Sequence, residues 1–332
     1  MKTIERKIWI DILRGICMVC ILLLHTEIYY TGSCIINYNL YVTNALTIFF
    51  FISGYLFYKE EEFSLKRKLV SIMRSLLLPY LIFTSFIALP KAIAHQNATD
   101  LISLFLPILE GKASWFVAAL CLSELIFSIT LWISKDRQWI IVVVGIIGLA
   151  LSDWLSMIGI RPYIWQLDNS MQALFFLSLG YFYHIYEQHF QRLSKPLYLL
   201  ILFILLITIK VYEQNNNICM LIWYIGINNY TIFIIDTTIC TLFMIHLCKI
   251  LPTNRLIEYT GSHSIVYYFL CGGIPLLTGK IMNIAHLEYN GNYLYVIFAF
   301  IIVYFLDTIA TWAIYRYIPF ITGQKRNETN YR

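Results

Sequence analysis

The sequence predicts an all-α integral membrane protein, a bundle of about ten transmembrane helices with both termini in the cytoplasm. The chain has 332 residues, of which 59% are hydrophobic and 13% charged, and its mean hydropathy is +0.69. A soluble protein of this length would not bury so much apolar surface. The apolar runs are near spanning length and lack the alternation of a membrane β-barrel. Lysine and arginine also concentrate in alternate connecting segments.

Ten apolar runs come close to the twenty or so residues that cross a bilayer. The predicted spans, in chain order, are Ile8–Tyr30, Asn39–Tyr58, Leu69–Ala94, Ser114–Ile133, Gln138–Met157, Asn169–Tyr186, Leu197–Tyr212, Asn229–Ile250, His263–Lys280 and Asn292–Tyr317. The apolar run Leu101–Leu109 is too short to cross, so we expect an interfacial or re-entrant segment there.

The basic residues orient the bundle. With the N-terminus inside, seventeen of the 24 lysines and arginines fall in inner segments and five in outer segments, while Arg14 and Arg74 lie within spans. This bias predicts cytoplasmic termini and a multi-pass protein of the cytoplasmic (inner) membrane. The first run is too long for a cleavable signal peptide. We expect one ten-helix domain over residues 1–322 and a polar cytoplasmic tail over 323–332. The positive charge follows from topology and indicates no nucleic-acid partner.

The first span carries two ionisable side chains at a meaningful spacing. Arg14 and His25 are eleven residues apart, which is about 16 Å and roughly three turns of α-helix, so they share one face. A neutral imidazole at this depth suits general base chemistry. Asp11 is three residues before Arg14 and can contact it. Two interpretations remain: a structural ion pair, or an aspartate that orients Arg14 toward an anionic ligand.

A second arginine lies at a similar depth in the third span. Arg74 and Arg14 are both near the predicted cytoplasmic face, and guanidinium groups bind phosphate oxygens in pairs. Three basic residues precede Arg74: Lys66, Arg67 and Lys68. They either belong to the same phosphate-binding group of basic side chains or only mark the cytoplasmic side of the membrane. An acyl-CoA has phosphates at one end and a reactive thioester at the other. It therefore fits a site with arginines near the cytoplasmic face and His25 farther along the same helix face.

Other charged residues at membrane depth leave alternatives open. Glu124 either orients a histidine or an acceptor hydroxyl, or satisfies a neighbouring tyrosine or asparagine. Asp236 and Asp307 have no evident partner and are interpreted as polar contacts between helices. These three acids with His25 are also consistent with a transporter, although only one Gly-Pro break, at Gly272–Pro275, is present where transporters pair two. A third possibility is a subunit of a glycan export system.

Five segments, in order, resemble the membrane acyltransferase-3 family: IDILRGICMVCILLLH, FFFISGYLFYK, RSLLLPYL, SWFVAALCLSELIF and GSHSIVYYFLCGGIP. The resemblance covers most of the chain. It implies a membrane O-acyltransferase that moves an acyl group, commonly acetyl, from cytoplasmic acyl-CoA to a hydroxyl of a surface or lipid-linked glycan. Acetyl-CoA or another acyl-CoA is then the co-substrate, the glycan and membrane lipids are the other partners, and no metal is expected.

The resemblance also implies residue roles. Arg14 and His25 correspond to the family's catalytic pair, and donor binding falls to Arg14, Arg74 and Arg67. The expected supporting and acceptor-side residues are Asp11, Ser53, Trp115, Glu124 and Tyr268, although Trp115 and Tyr268 fit interfacial anchors equally well. Cys271, three residues after Tyr268, stands where many members carry a histidine, and two alternatives follow: a different acceptor, or membership of a subgroup of the family. Some relatives add an extracytoplasmic hydrolase-like domain, which is not expected here.

Overall fold

The computed structural model describes residues 7–58, 63–94, 99–135, 137–159 and 161–323. All of the predicted polar tail except Gly323 lies outside these residues. The described chain is almost entirely helical. Its α-helices, in chain order, are α1 Ile8–Thr31, α2 Tyr38–Tyr55, α3 Leu65–Ile72, α4 Leu78–Ala94, α5 Leu101–Leu109, α6 Trp115–Ser134, α7 Gln138–Ile158, α8 Leu167–Ile185, α9 Glu187–Phe190, α10 Pro196–Asn215, α11 Tyr230–Ile250, α12 Arg255–Ser262, α13 Ser264–Leu270, α14 Gly273–Ile284 and α15 Tyr293–Tyr317.

Short elements connect some of these helices. A π-helical turn, Met73–Leu77, joins α3 to α4. Turns of 3-10 helix occupy Ile164–Gln166, Gln191–Ser194 and Pro319–Thr322, and two short strands lie between α10 and α11, β1 Met220–Leu221 and β2 Gly226–Ile227. Cys34 and Cys219 are both exposed free cysteines.

Seven helical spans among the described residues are long and apolar enough to cross a membrane, or eight if the bent pair α13 and α14 is one span. The seven are α1, α3 through α4 with their π turn, α6, α7, α10, α11 and α15. Helices also occupy the other two predicted positions, α2 and α8, but buried polar residues such as Asn44 and Gln172 lower their hydropathy. The helical membrane class is therefore confirmed, whereas ten spans and cytoplasmic termini stay predictions.

The chain divides into two compact units. The first unit contains residues up to Phe49, Tyr186–Leu221 and Ile227–Thr311, and the second contains Phe50–Ile185, Ile222–Gly226 and the residues from Trp312 onward. Each unit combines segments that are distant in sequence, so neither corresponds to a separate domain of the predicted organisation.

In the first unit, α1 packs closely against α12 and α14. A methyl group built on Gly261 of α12 would lie 1.7 Å from the carbonyl oxygen of Asp11, and one built on Gly15 would lie 2.1 Å from that of Ile257. Only glycine fits at these two positions, because the backbones of α1 and α12 are in contact there. At the other end of α1 an apolar cluster fills the core: Tyr30, Met282, Val296 and Ala299.

In the second unit, aromatic rings pack α2 and the residues that follow it against α6. The rings of Phe50 and Phe116 are 4.9 Å apart, and those of Phe57 and Phe127 are 5.0 Å apart. Helix α5 occupies the short predicted segment, whose interfacial or re-entrant position stays a prediction. It begins at a cap, where the Asp100 carboxylate accepts a hydrogen bond of 3.0 Å from the Ser103 backbone N–H. Hydrogen bonds from Ser103 lower the pKa of the Asp100 carboxyl below its usual value.

Candidate functional site

Helix α1 carries the two principal predicted residues without interruption. It runs for 24 residues and ends at Gly32, whose positive φ of 79° and N–H bond to the Ile28 carbonyl form a left-handed cap. Arg14 and His25 are both partly buried on this helix. Because no kink separates them, their shared face and the separation of about 16 Å along the axis follow directly.

The imidazole of His25 is held by an aromatic neighbour. It stacks on Tyr29, one turn later, with ring centroids 6.1 Å apart and planes inclined by 16°. Tyr29 in turn lies against α14, because a methyl group on Gly279 would be 2.7 Å from the Tyr29 carbonyl oxygen. Within the described part of the chain no hydrogen bond is made by the His25 ring, so its nitrogens are not committed to a structural role.

The segment GSHSIVYYFLCGGIP contains the bend between α13 and α14, and this bend lies close to Tyr29. These helices are bent by 45° across Cys271 and Gly272, and Gly272 lies about one van der Waals contact from the Tyr29 hydroxyl, at 3.8 Å for a built methyl group. Cys271 is buried and its thiol donates to the Tyr268 carbonyl at 2.9 Å. The structure therefore brings the residue that replaces the family's histidine next to the ring partner of His25.

The N-terminal end of α1 lies where α12 makes its closest approach. Asp11 is buried, at 7% exposure, and its carbonyl is the atom that excludes any side chain at Gly261. The predicted contact between Asp11 and Arg14 stays a prediction. Whether this end of α1 is anchored by that pair or by backbone packing, the glycine contacts fix its position.

In the second unit, Glu124 has partners that the sequence alternatives do not include. Its Oε1 accepts a hydrogen bond from the Ser53 hydroxyl, and its Oε2 forms an ion pair of 2.9 Å with Lys68. Lys68 also lies 3.6 Å above the ring of Phe57. Both oxygens of the Glu124 carboxylate are therefore bonded within the protein. Because Lys68 is paired with this carboxylate, it is not available to bind a phosphate.

The remaining basic residues of this segment are differently placed. Lys66 and Arg67 are exposed on α3, and Arg74 is partly buried in the π-helical turn. Single π-helical turns are rare and often occur at functional positions. Gly323 packs closely against this turn, because a methyl group built on Gly323 would lie 2.2 Å from the Arg74 carbonyl oxygen. Arg74 and Arg67 thus keep the phosphate-binding role as a prediction, and Trp115, partly buried at the start of α6, keeps its acceptor role in the same sense.

Two buried acids of the first unit have environments that the sequence did not reveal. Asp236 is not an isolated polar contact, because its Oδ2 accepts from Lys210 at 2.8 Å and from Asn44 at 3.0 Å. Lys210, which the sequence pattern assigns to an outer segment, is buried and also bonds Glu213 at 3.2 Å. By contrast, Asp307 is fully buried and neither carboxylate oxygen has a partner within the described residues.

Glu27 also has a role that its position two residues from His25 does not suggest. It is fully buried, and one oxygen accepts bonds from the backbone of Ile35 at 3.0 Å and Ile36 at 3.3 Å. Its other oxygen accepts from the Tyr293 hydroxyl. Glu27 therefore joins the loop after α1 to the start of α15 and is not a partner of the His25 ring.

Comparison with known proteins adds a family. The acyltransferase-3 model, described as an acyltransferase domain, matches residues 7–316. No curated protein and no solved structure matches the chain. The match spans both units and all of the motifs examined above. Among the described residues, no group of three or more histidine, cysteine or acidic side chains is arranged to hold a metal ion.

Proposed function

Because the chain belongs to the acyltransferase-3 family and is a multi-pass membrane acyltransferase, we propose that it transfers an acyl group, most simply acetyl, from a cytoplasmic acyl-CoA to a hydroxyl of a surface or lipid-linked glycan at the cytoplasmic membrane. The observation that carries this proposal is the placement of Arg14 and His25 on one face of the unbroken helix α1. The acyl donor, the acetyl group and the glycan are the parts of the proposal that experiments must establish.

His25 acts as the general base. Its ring takes the proton from the acceptor hydroxyl, the oxygen attacks the thioester carbonyl carbon, and the C–S bond breaks. The proton then passes to the sulfur, so that the products are the O-acyl glycan and free CoA thiol. The stack with Tyr29 supports this role because it fixes the plane of the ring while leaving its nitrogens available.

Basic side chains bind the donor. In the first unit, the partly buried Arg14 binds an anionic part of the acyl-CoA, with Asp11 orienting its guanidinium. In the second unit, the exposed Arg67 and the partly buried Arg74 are suited to phosphate oxygens, because guanidinium groups bind two oxygens at once. The ion pair of Lys68 with Glu124 supports α3 from within, so that Arg67 is presented on a fixed helix.

Replacing His25 by alanine tests the mechanism. Labelled acetyl-CoA is supplied to inverted membrane vesicles that contain the wild-type or variant protein, and label in the glycan fraction is counted. We expect His25→Ala to lower transfer by roughly 10²- to 10⁴-fold, which is the usual contribution of a general base. Expression and the unfolding midpoint of the variant should match wild type.

The matched control is His189→Ala, because His189 is exposed on the short helix α9. This control should retain wild-type transfer. Undiminished labelling by His25→Ala would show that the imidazole is not the base. Vesicles that move a solute but never acylate a glycan would support a transporter instead.

A further inference from the structure

The turn before α8 and the first turns of α8 carry an unusual set of buried polar side chains in the second unit. Each is at most 2% exposed: Gln166, Asp168, Asn169, Ser170 and Gln172. Four of their atoms have no hydrogen-bond partner within the described residues: Asp168 Oδ1, Asn169 Oδ1, and both Nε2 and Oε1 of Gln172. Buried polar groups are ordinarily paired, so a cluster of open donors and acceptors calls for a partner that is not a side chain of this unit.

The open groups share one sector of the helix. At 100° per residue, Asp168, Gln172 and Asn169 fall within about 100° of one another around the axis of α8. The neighbours of this sector are already bonded, because the Asn169 amide donates to Gln166 at 3.3 Å and the Ser170 hydroxyl donates to the Gln166 carbonyl at 2.8 Å. What remains open is therefore a compact set with one donor and three acceptors.

The turn before α8 is held in a strained conformation. Trp165 and Gln166 have φ values of 51° and 53°, in the left-handed region that non-glycine residues rarely adopt. The turn is kept there by a bond of 2.7 Å from the Trp165 N–H to the Glu110 carbonyl and by the Tyr80 ring, 5.5 Å from that of Trp165. It also packs against α6, whose first residue is Trp115.

We propose that this polar sector of α8 binds the sugar acceptor, with Gln172, Asp168 and Asn169 holding its hydroxyl groups. This inference rests on the proposed function and deepens it by assigning the acceptor to named residues. Hydroxyl groups donate and accept at once, so they match a set that offers both an amide N–H and several oxygens. The ring of Trp165, which is only partly buried in the turn before α8, suits the apolar face of a sugar ring.

The charge of the sector excludes the phosphates of the donor. Asp168 is acidic, and the one basic side chain that acts on it, Arg161, already donates to the carbonyls of Ser156 and Ile225. A phosphate placed here would meet a carboxylate and no uncommitted cation among these residues. A neutral polyhydroxyl compound meets no such repulsion.

Gln172→Leu tests the assignment with the purified full chain in lipid vesicles. Leucine keeps the size of the side chain and removes both open atoms, and no protein hydrogen bond is lost. Envelope material from a strain lacking the gene serves as acceptor at increasing concentration, with labelled acetyl-CoA as donor. We expect at least a tenfold rise in the acceptor concentration that gives half-maximal transfer, with acetyl-CoA binding and the unfolding midpoint unchanged.

Thr130→Val is the matched control, since it removes a buried hydroxyl at the other end of α6 that bonds only the Ile126 carbonyl. It should leave the acceptor dependence as in wild type. If Gln172→Leu also leaves it unchanged, the open atoms hold only water and the assignment is overturned. If Gln172→Leu instead weakens acetyl-CoA binding, the sector belongs to the donor and the assignment is equally wrong. Wild-type protein that transfers nothing from acetyl-CoA would refute the proposed function itself.

Discussion

The two units each bury a polar cluster, and the clusters differ in how fully their side chains are hydrogen-bonded within the protein. In the first unit, Lys210 lies at the centre of a network in which its ammonium donates to Asp236, Glu213 and the Asn39 carbonyl at 2.8, 3.2 and 2.6 Å. In the second unit, Asp168, Asn169 and Gln172 are as deeply buried but retain four atoms with no partner in the described part of the chain. Burial alone does not distinguish the two clusters, whereas their hydrogen bonds do.

The difference separates a structural group from a binding group. The Lys210 network connects α10 to α11 and to Asn44 of α2, so its interactions stabilise the packing of three helices. Among the described residues, single oxygens of Asp236, Glu213 and Asn44 stay unpartnered, but each of these side chains has its other polar atom bonded within the network. In the same part of the chain, Gln172 has no partner at either end of its amide. A variant in the first cluster should therefore change stability, and one in the second should change the use of a ligand.

The largest expected effect follows from Lys210→Met. The substitution leaves two buried carboxylates without their cation, and breaking a buried pair in this way costs about 3–5 kcal/mol. We expect a loss of that size in the free energy of unfolding, measured by denaturant titration in detergent. Lys66→Met is the control, because Lys66 is exposed and should change the free energy by less than about 0.5 kcal/mol. A Lys210→Met protein as stable as wild type would show that the network is dispensable and would remove one side of the comparison.

A smaller effect, of a different kind, is expected from Asp168→Asn. Its Oδ1 has no partner among the described residues, so the change should alter the free energy of unfolding by no more than about 1 kcal/mol, the size of a helix N-terminal charge effect. The acceptor concentration for half-maximal transfer should rise about tenfold, which corresponds to the loss of one hydrogen bond to a charged group. The acceptor titration checks the second number and denaturation the first. The reverse outcome, a large loss of stability with unchanged acceptor dependence, would place Asp168 with the structural network.

The parts of this molecule that were predictable from sequence are those set by local geometry. The relation of Arg14 to His25 needs only an unbroken helix, and the Gly272–Pro275 motif indicates the bend that separates α13 from α14. The buried ion pairs between helices were not predictable in this way. Lys68 meets Glu124, and Lys210 meets Asp236, only because different helices pack together, and nothing in one chain segment specifies that partner.

The polar sector of α8 was only partly predictable from the sequence. Four amide or acid side chains within seven residues, Gln166 to Gln172, are costly at the edge of an apolar span, and that cost is a signal available in the sequence. Taking Asn169 as the start of a span hides the signal, because it assigns Gln166 and Asp168 to a loop. The structure begins α8 at Leu167 and buries all four, so only the folded chain shows that Asp168, Asn169 and Gln172 share one face.

The same substitution in both clusters provides the finest test of the difference. Asn44→Leu removes the bond of 3.0 Å to Asp236, which keeps Lys210, so we expect a loss of about 1 kcal/mol in the free energy of unfolding and no change in acceptor dependence. Asn169→Leu removes a long bond of 3.3 Å to Gln166 and should cost less than about 0.5 kcal/mol, while raising the acceptor requirement several-fold. Both side chains are buried to within 3%, and each has an Oδ1 without a partner among the described residues, so neither burial nor that single atom can explain a difference between the variants. Equal effects on stability and on acceptor use would mean that the polar sector of α8 is not a binding face.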